Sequence, residues 1–336
     1  MDKLDQTCKT LVSQLAEQVA EIIRDEQCAG VKATIDEMNL SHCNFQASLE
    51  RHVADAIKRR MFIPNLAIQN HTTLYNSFMA YSTCSTADFF HPHFAEICAM
   101  FNQPLWFHRK VWEWVYITHK LQEARMLGHG KRGLVFGVGQ EKLPALFASL
   151  GASVVATDAP PEIGAHWNSS KEYSDSLEKL RFPEICQDQI FNQNVSFRLC
   201  DMKAIDDGLQ GFDFVWSSCC FEHLGSLEAG IQFVIDSVEK TLKVGGVACH
   251  TTEFNLSSDD DTMEHGDTVI YRRKDMLNMI ERLRALGHKV EPFSIAPDPH
   301  FMDYYVDVPP YSLEPHLKLK IAQYVATSVG IVIRKC

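Results

Sequence analysis

Two glycines at alternate positions, Gly137 and Gly139, close the short apolar run Gly133-Leu134-Val135-Phe136, and a second apolar run, Ser153 to Thr157, ends in Asp158. Glycine in a strand-to-helix turn admits a ligand against backbone where a Cβ would clash. A carboxylate at the tip of the next parallel strand reaches a ribose at the sheet's C-terminal edge. The chemistry this predicts is nucleoside-cofactor binding, by Gly137, Val138, Gly139, Gln140, Glu141, Asp158 and Ala159. Polar groups end two later apolar runs as well. Ser217, Ser218, Cys219, Glu222 and His223 follow Phe212 to Trp216, and His250 to Glu253 close the run that begins at Val247. A neutral imidazole accepts a proton near neutral pH, so His223 or His250 is the candidate base, with Glu222 and Glu253 as orienting or substrate-contacting groups.

The elements that position these groups change character along the chain. Residues 4–23, 45–60 and 92–127 carry helical periodicity, with Pro64 and the Asn/Thr-rich stretch after it as a joint. Residues 1–125 are therefore expected to form a helical N-terminal region, a lid or an oligomerisation element supporting a homodimer. From Lys131 onward β-rich runs alternate with helical ones, the pattern of a parallel sheet with crossover helices. Strands are expected at 133–137, 153–157, 195–199, 212–217, 247–252, 289–295 and 327–333, with insertions at 159–194, 253–271 and 296–322 shaping the ligand edge. Within Phe107 to Trp114, Arg109, Trp112 and Glu113 form an i, i+3, i+4 set. That segment is either a docking helix or a lid.

With these motifs in order, residues from about 130 to 336 resemble the class I S-adenosylmethionine-dependent methyltransferases, in a bacterial-type form with a helical N-terminal extension. Gly137-Val138-Gly139 resembles the family's glycine motif and Asp158 its ribose acid. Asp201-Met202 resembles the pair that holds adenine, Phe212 to Ser218 its fourth strand, Glu222-His223 the pair after that strand, and Leu242-Lys243-Val244-Gly245-Gly246 the turn before its fifth. The resemblance implies an α/β fold for residues 126–336: a Rossmann-like, seven-stranded, mostly parallel sheet with an antiparallel last strand, flanked by helices. It also implies S-adenosyl-L-methionine as cofactor, with Ser217, Ser218 and Cys219 near it, and O-methylation of a small molecule or glycan unit by in-line transfer. Val135 stands where the family often has an acid, and Glu141 where a third glycine is usual. Glu141, Arg109 or His108 is the candidate for the contact that the missing acid would make to the cofactor's methionine end.

Other classes are weighed against this one. A nicotinamide-dependent oxidoreductase needs a glycine near position 141 for close approach of a pyrophosphate. A non-catalytic scaffold keeps the fold without the site. A net charge of −11 and the lack of a Lys/Arg block argue against a nucleic-acid backbone as partner. No apolar run reaches membrane-span length, and the N-terminus lacks a signal-peptide pattern, so a cytoplasmic protein is expected. The eleven cysteines show no CxxC spacing and are read as free thiols. Asp259-Asp260-Asp261 is read as a solvated loop, and no metal ligand is assigned.

Overall fold

The computed structural model describes residues 10, 13–14, 78–164, 172–298 and 300–336. Thr10, Ser13 and Gln14 are helical; the rest of the expected helices at 4–23 and 45–60, and the joint at Pro64, lie outside the described residues. The chain divides into two compact units, Met1–Met61 with Val308–Tyr311, and Phe62–Asp307 with Ser312–Cys336. All elements named here lie in the second. No helix among the described residues is long and apolar enough to cross a membrane.

A nine-stranded sheet organises this unit: β1 (Arg132–Phe136), β2 (Ser153–Asp158), β3 (Val195–Leu199), β4 (Phe212–Ser218), β5 (Leu242–Asn255), β6 (Lys289–Val290), β7 (Val306–Asp307), β8 (Lys318–Ile321) and β9 (Tyr324–Arg334). Its order is β3-β2-β1-β4-β5-β9-β8-β7, with β6 also paired to β9. The first five strands run parallel, and β9 is antiparallel to β5. Strand order reverses between β1 and β4, and at such a switch point the strand tips leave a ligand crevice. Register brings Phe136 beside Ser217, and Ser217 beside His250, at this edge.

Alternation along the strands feeds two cores. Val135, Phe214 and Trp216 face the layer that holds Trp112, Val115 and Phe147. Leu134, Phe136 and Val215 face Ile231, Phe233, Met276 and Leu283. The first layer carries helices α1 (Pro92–Met100), α2 (Arg109–Glu123), α3 (Leu143–Ser149) and α4 (Asp188–Asn194), the second α5 (Leu227–Asp236) and α6 (Arg273–Ala285).

Three departures from the expected elements have physical causes. The helix expected over 92–127 is broken between α1 and α2, where Asn102 adopts a left-handed φ of 48° and Pro104 removes a backbone donor. The strand expected over 289–295 stops at Val290, because Ser82–Cys84 takes the next stretch of the β9 edge: Cys84 N–H donates to Ser328 O and Gly330 N–H to Ser82 O. The segment at 296–322 is more than an inserted loop, since β7 and β8 within it extend the sheet beyond β9. Helix α2 crosses β9 at Gly330, where a Cβ would lie 2.2 Å from the Tyr116 ring.

Candidate functional site

The glycine turn and the β2 acid form one bonded unit. Gly137 and Gly139 have φ of +58° and +52°, which side chains on L-residues rarely tolerate. Asp158 is buried and accepts three backbone hydrogen bonds: from Gly139 N–H (2.9 Å), Ala159 N–H (2.8 Å) and Ser174 N–H (2.9 Å). Burial raises its carboxyl to about 6, against the pull of those donors. Val138 N–H donates to Thr157 O, tying the turn to β2 a second time. A Cβ on Gly137 would stand 2.8 Å from Cys220 Cβ and 2.9 Å from its Sγ, and one on Gly139 would stand 3.2 Å from the Glu172 backbone. So the chain's own Cys220 and the 172–174 segment lie against the turn. Asp201 accepts from Lys203 N–H, and the Met202 sulfur would be 3.9 Å from a Cβ on Gly137.

Glu141 bonds to the fourth strand. Its buried carboxylate accepts from Trp216 Nε1 at 2.7 Å, and burial pushes it up to about 7. The side chain of Gln140 lies near the Tyr173 carbonyl, 3.5 Å away.

The tips of β4, β5 and β9 share a cluster of buried charge with the first turns of α2. Glu113, fully buried, accepts from Lys110 Nζ (2.9 Å), Arg109 Nη1 (3.2 Å) and Ser328 Oγ (2.5 Å). Ser218 Oγ, Thr251 Oγ1 and Cys219 Sγ also donate to it. Burial works to raise the Glu113 carboxyl, but Lys110 and Arg109 outweigh it and hold it at about 2. Arg109 Nη2 pairs with Glu253 at 2.5 Å, while Arg109 Nε and Glu253 Oε2 are buried without a hydrogen-bond partner. Glu222 accepts from Thr252 Oγ1 at 3.0 Å. His108 caps α2, its Nδ1 accepting from Lys110 N–H, and it stacks between Trp106 and His316. Desolvation lowers its ring to about 3.

The two histidines differ in surroundings. The Ser237 hydroxyl donates to Val234 O, so it accepts from His250 Nε2 (3.0 Å), and the other ring nitrogen, Nδ1, accepts from Ser217 Oγ (2.8 Å). This ring is wholly buried, and desolvation lowers it to about 3. His223 is partly exposed on the turn after β4, and its Nδ1 donates to the Asp267 carbonyl at 2.7 Å. In the neutral ring that bond leaves the basic lone pair on Nε2.

Sequence reasoning missed Glu113, Lys110, Ser174 and Ser328 as members of this edge. The Arg109-Glu113 spacing was a signal of a pair; Ser174 and Ser328 had none. In the last insertion, the Asp303 carboxylate accepts from both the backbone N–H and the hydroxyl of Thr86, and Tyr304 stays exposed. Asp259 accepts from Lys274 N–H in the first turn of α6, within an exposed loop.

The strand order, the reversal between β1 and β4, and the antiparallel β9 beside β5 are those of the Rossmann-like, mostly parallel sheet with an antiparallel last strand that the sequence resemblance implies. No family model matches the chain, and no curated protein sequence matches it. Among solved structures, the N-terminal domain of EvdMO1, solved in the presence of SAH and D-fucose, is 14% identical with a TM-score of 0.39, over 66% of this chain and 82% of that one. A putative sarcosine dimethylglycine methyltransferase from Galdieria sulphuraria is 17% identical with a TM-score of 0.32, over 50% of this chain and 51% of that one. A TehB-like SAM-dependent methyltransferase from Corynebacterium glutamicum is 15% identical with a TM-score of 0.36, over 66% and 95%. The Rossmann-like layout rests on the strand order and not on these likenesses.

Proposed function

We propose that the chain binds S-adenosyl-L-methionine at the tips of β1 and β2 and transfers its methyl group to a hydroxyl of a small molecule or glycan unit. The observation that carries this reading is the bond from Gly139 N–H to Asp158, which joins the left-handed glycine turn beside the switch point to a carboxylate at the tip of the neighbouring strand β2. The donor set fits a nucleoside. An ionised carboxylate has about four acceptor sites, and three are used here, one of them by Ser174. A ribose hydroxyl that replaces the Ser174 N–H keeps Asp158 satisfied. Asp201 and Met202 are the proposed adenine neighbours, and Arg109 keeps one unpartnered donor, Nε, for an anionic end of the ligand.

The cofactor, when bound, supplies a methyl carbon on a positively charged sulfur. The chain's own part is alignment and a place for the acceptor's proton. His223 is the proposed base, through Nε2, on the strength of its partial exposure and its bond to the Asp267 carbonyl. His250, locked between Ser217 and Ser237, is proposed as a positioning residue for β4 and β5. Ser217 is engaged by His250, and Ser218 and Cys219 both donate to Glu113, so at this strand tip these groups hold the edge together. The catalytic unit is proposed to start ahead of residue 126, since α2 contributes Glu113 and Arg109 to the edge.

A non-catalytic scaffold is the second reading. It is favoured by one observation, the packing of Cys220 and the 172–174 backbone against the glycine turn. Calorimetry with S-adenosylmethionine, its demethylated product and NAD separates the readings. Binding of a sulfur nucleoside, with altered hydrogen exchange at residues 172–176, supports the enzyme; failure of both sulfur nucleosides to bind removes it. A labelled-methyl screen against sugars, phenols, acids and amines then names the acceptor.

A further inference from the structure

We infer that Cys219, Glu222 and Glu253 form a binding site for a borderline-soft divalent metal, zinc in the first instance. Among the described residues, one ligand atom from each of these three side chains lies within 4.8 Å of the other two. Around a tetrahedral zinc such atoms stand roughly 3.3 to 3.8 Å apart, so closure requires side-chain shifts of only about 1 Å. Clusters of acids are common without a metal, and two further observations distinguish this one. Glu253 is 3% exposed, yet its Oε2 has no hydrogen-bond partner. A buried carboxylate oxygen without a donor calls for a cation or a proton. Cys219 is held at φ +48°, a strained conformation for a residue with a Cβ, at the one position that places a thiol beside both acids.

Charge supports the same occupant. Lys110 offsets Glu113. Without a metal the Cys219 thiol donates to Glu113, and Arg109 is the cation that offsets Glu222 and Glu253; a divalent ion that displaces the thiol proton balances the two carboxylates and the new thiolate together with Arg109. A thiolate among the donors selects zinc, or cobalt as its substitute, over magnesium. Three protein ligands leave a fourth position, the arrangement of zinc sites that act on a bound oxygen. That position belongs at the partly exposed Cys219 side of the cluster. On binding, the sulfur–metal bond forms as the S–H bond breaks, and the proton passes to solvent.

The full-length chain, stripped with a chelator, is titrated with zinc by calorimetry and with cobalt by absorption. One equivalent of zinc should bind with proton release, and cobalt should give a thiolate-to-metal charge-transfer band. Cys219→Ser should abolish the band, and Glu222→Gln and Glu253→Gln should each weaken zinc by at least ~100-fold. Cys220→Ser should leave both signals in place. Circular dichroism of each variant reports whether it folds. Absence of stoichiometric binding by the wild-type chain overturns the inference, and so does a cobalt band that survives Cys219→Ser. S-adenosylmethionine binding, measured on stripped and zinc-loaded protein, is a separate readout. Zinc binding without the nucleoside sinks only the methyltransferase reading, and the reverse sinks only the metal site.

Discussion

Glu113→Gln removes one charge from the most enclosed part of the molecule. Six groups donate to this carboxylate, among them Arg109, Lys110 and Ser328. An amide of the same shape keeps one acceptor oxygen and turns an NH₂ toward the remaining donors. With the NH₂ on the Lys110 side, Lys110 keeps the Ser218 carbonyl, at 3.1 Å, as its acceptor. A carboxyl held at about 2 rather than at 4.5 corresponds to roughly 3 kcal/mol of stabilisation. That agrees with the ~3–5 kcal/mol typical of breaking a buried ion pair from one side. The sign with pH follows from the depressed value: the stabilisation is complete above about 4.5 and disappears as pH falls toward about 2. Urea unfolding at about pH 7, 5 and 3.5 should therefore show a variant deficit of roughly 3 kcal/mol that is constant at first and then shrinks. The combination with Lys110→Met should recover part of the loss, because no stranded ammonium remains. A variant within about 0.5 kcal/mol of wild type at pH 7, or a deficit that does not change on acidification, refutes the reasoning.

Three more outcomes are expected. Gly330→Ala places a methyl 2.2 Å from the Tyr116 ring and should lower unfolding stability by about 1–3 kcal/mol, with α2 first to lose hydrogen-exchange protection; an unchanged denaturation midpoint contradicts the tight crossing. His250→Ala leaves Ser217 and Ser237 facing a buried gap and should cost about 2–4 kcal/mol with cofactor affinity preserved, whereas His223→Ala should preserve stability and cut turnover by about 10²–10⁴-fold; the opposite assignment of the two phenotypes reverses their roles. Burial holds Asp158 at about 6, and ribose hydroxyls donate to the ionised form, so nucleoside affinity should rise as pH passes upward through about 6 and lose that dependence in Asp158→Ala; a flat profile in the wild type removes Asp158 from the contact.

Much of the parallel sheet was legible in local pattern. β1, β2 and β4 fell close to their expected places because each is a short, nearly continuous apolar run covered on both faces; β3 fell in place on the alternation of Val195, Phe197 and Leu199, while β5 is longer than expected and takes in the turn expected at 242–246. Pairing with distant segments is not encoded in such runs. The edge of β9 illustrates this: Ser82–Cys84 and β8 share it with β6, no periodicity in residues 82–84 announces a strand, and the alternation of Leu317-Lys318-Leu319-Lys320-Ile321 marks a strand without naming its partner. From sequence His223 sits on the turn after an apolar strand and His250 deeper within one, and either could serve as base. Their difference arises from which side chains close around them, Ser217 and Ser237 for His250, and the Asp267 carbonyl for His223.

By itself the sequence determined the fold class and the position of the glycine turn and β2 acid, since strand propensity, turn chemistry and the order of motifs are local properties. Only the tertiary structure decided which charges share a site. Glu113 is 140 residues from Glu253 in the sequence and meets it through Arg109, because α2 lies across the tips of β4, β5 and β9. It also decided that Ser174 rests on Asp158 and that Glu141 turns to Trp216. Burial and pairing set the charge state of these groups, and both depend on contacts between segments far apart in the chain.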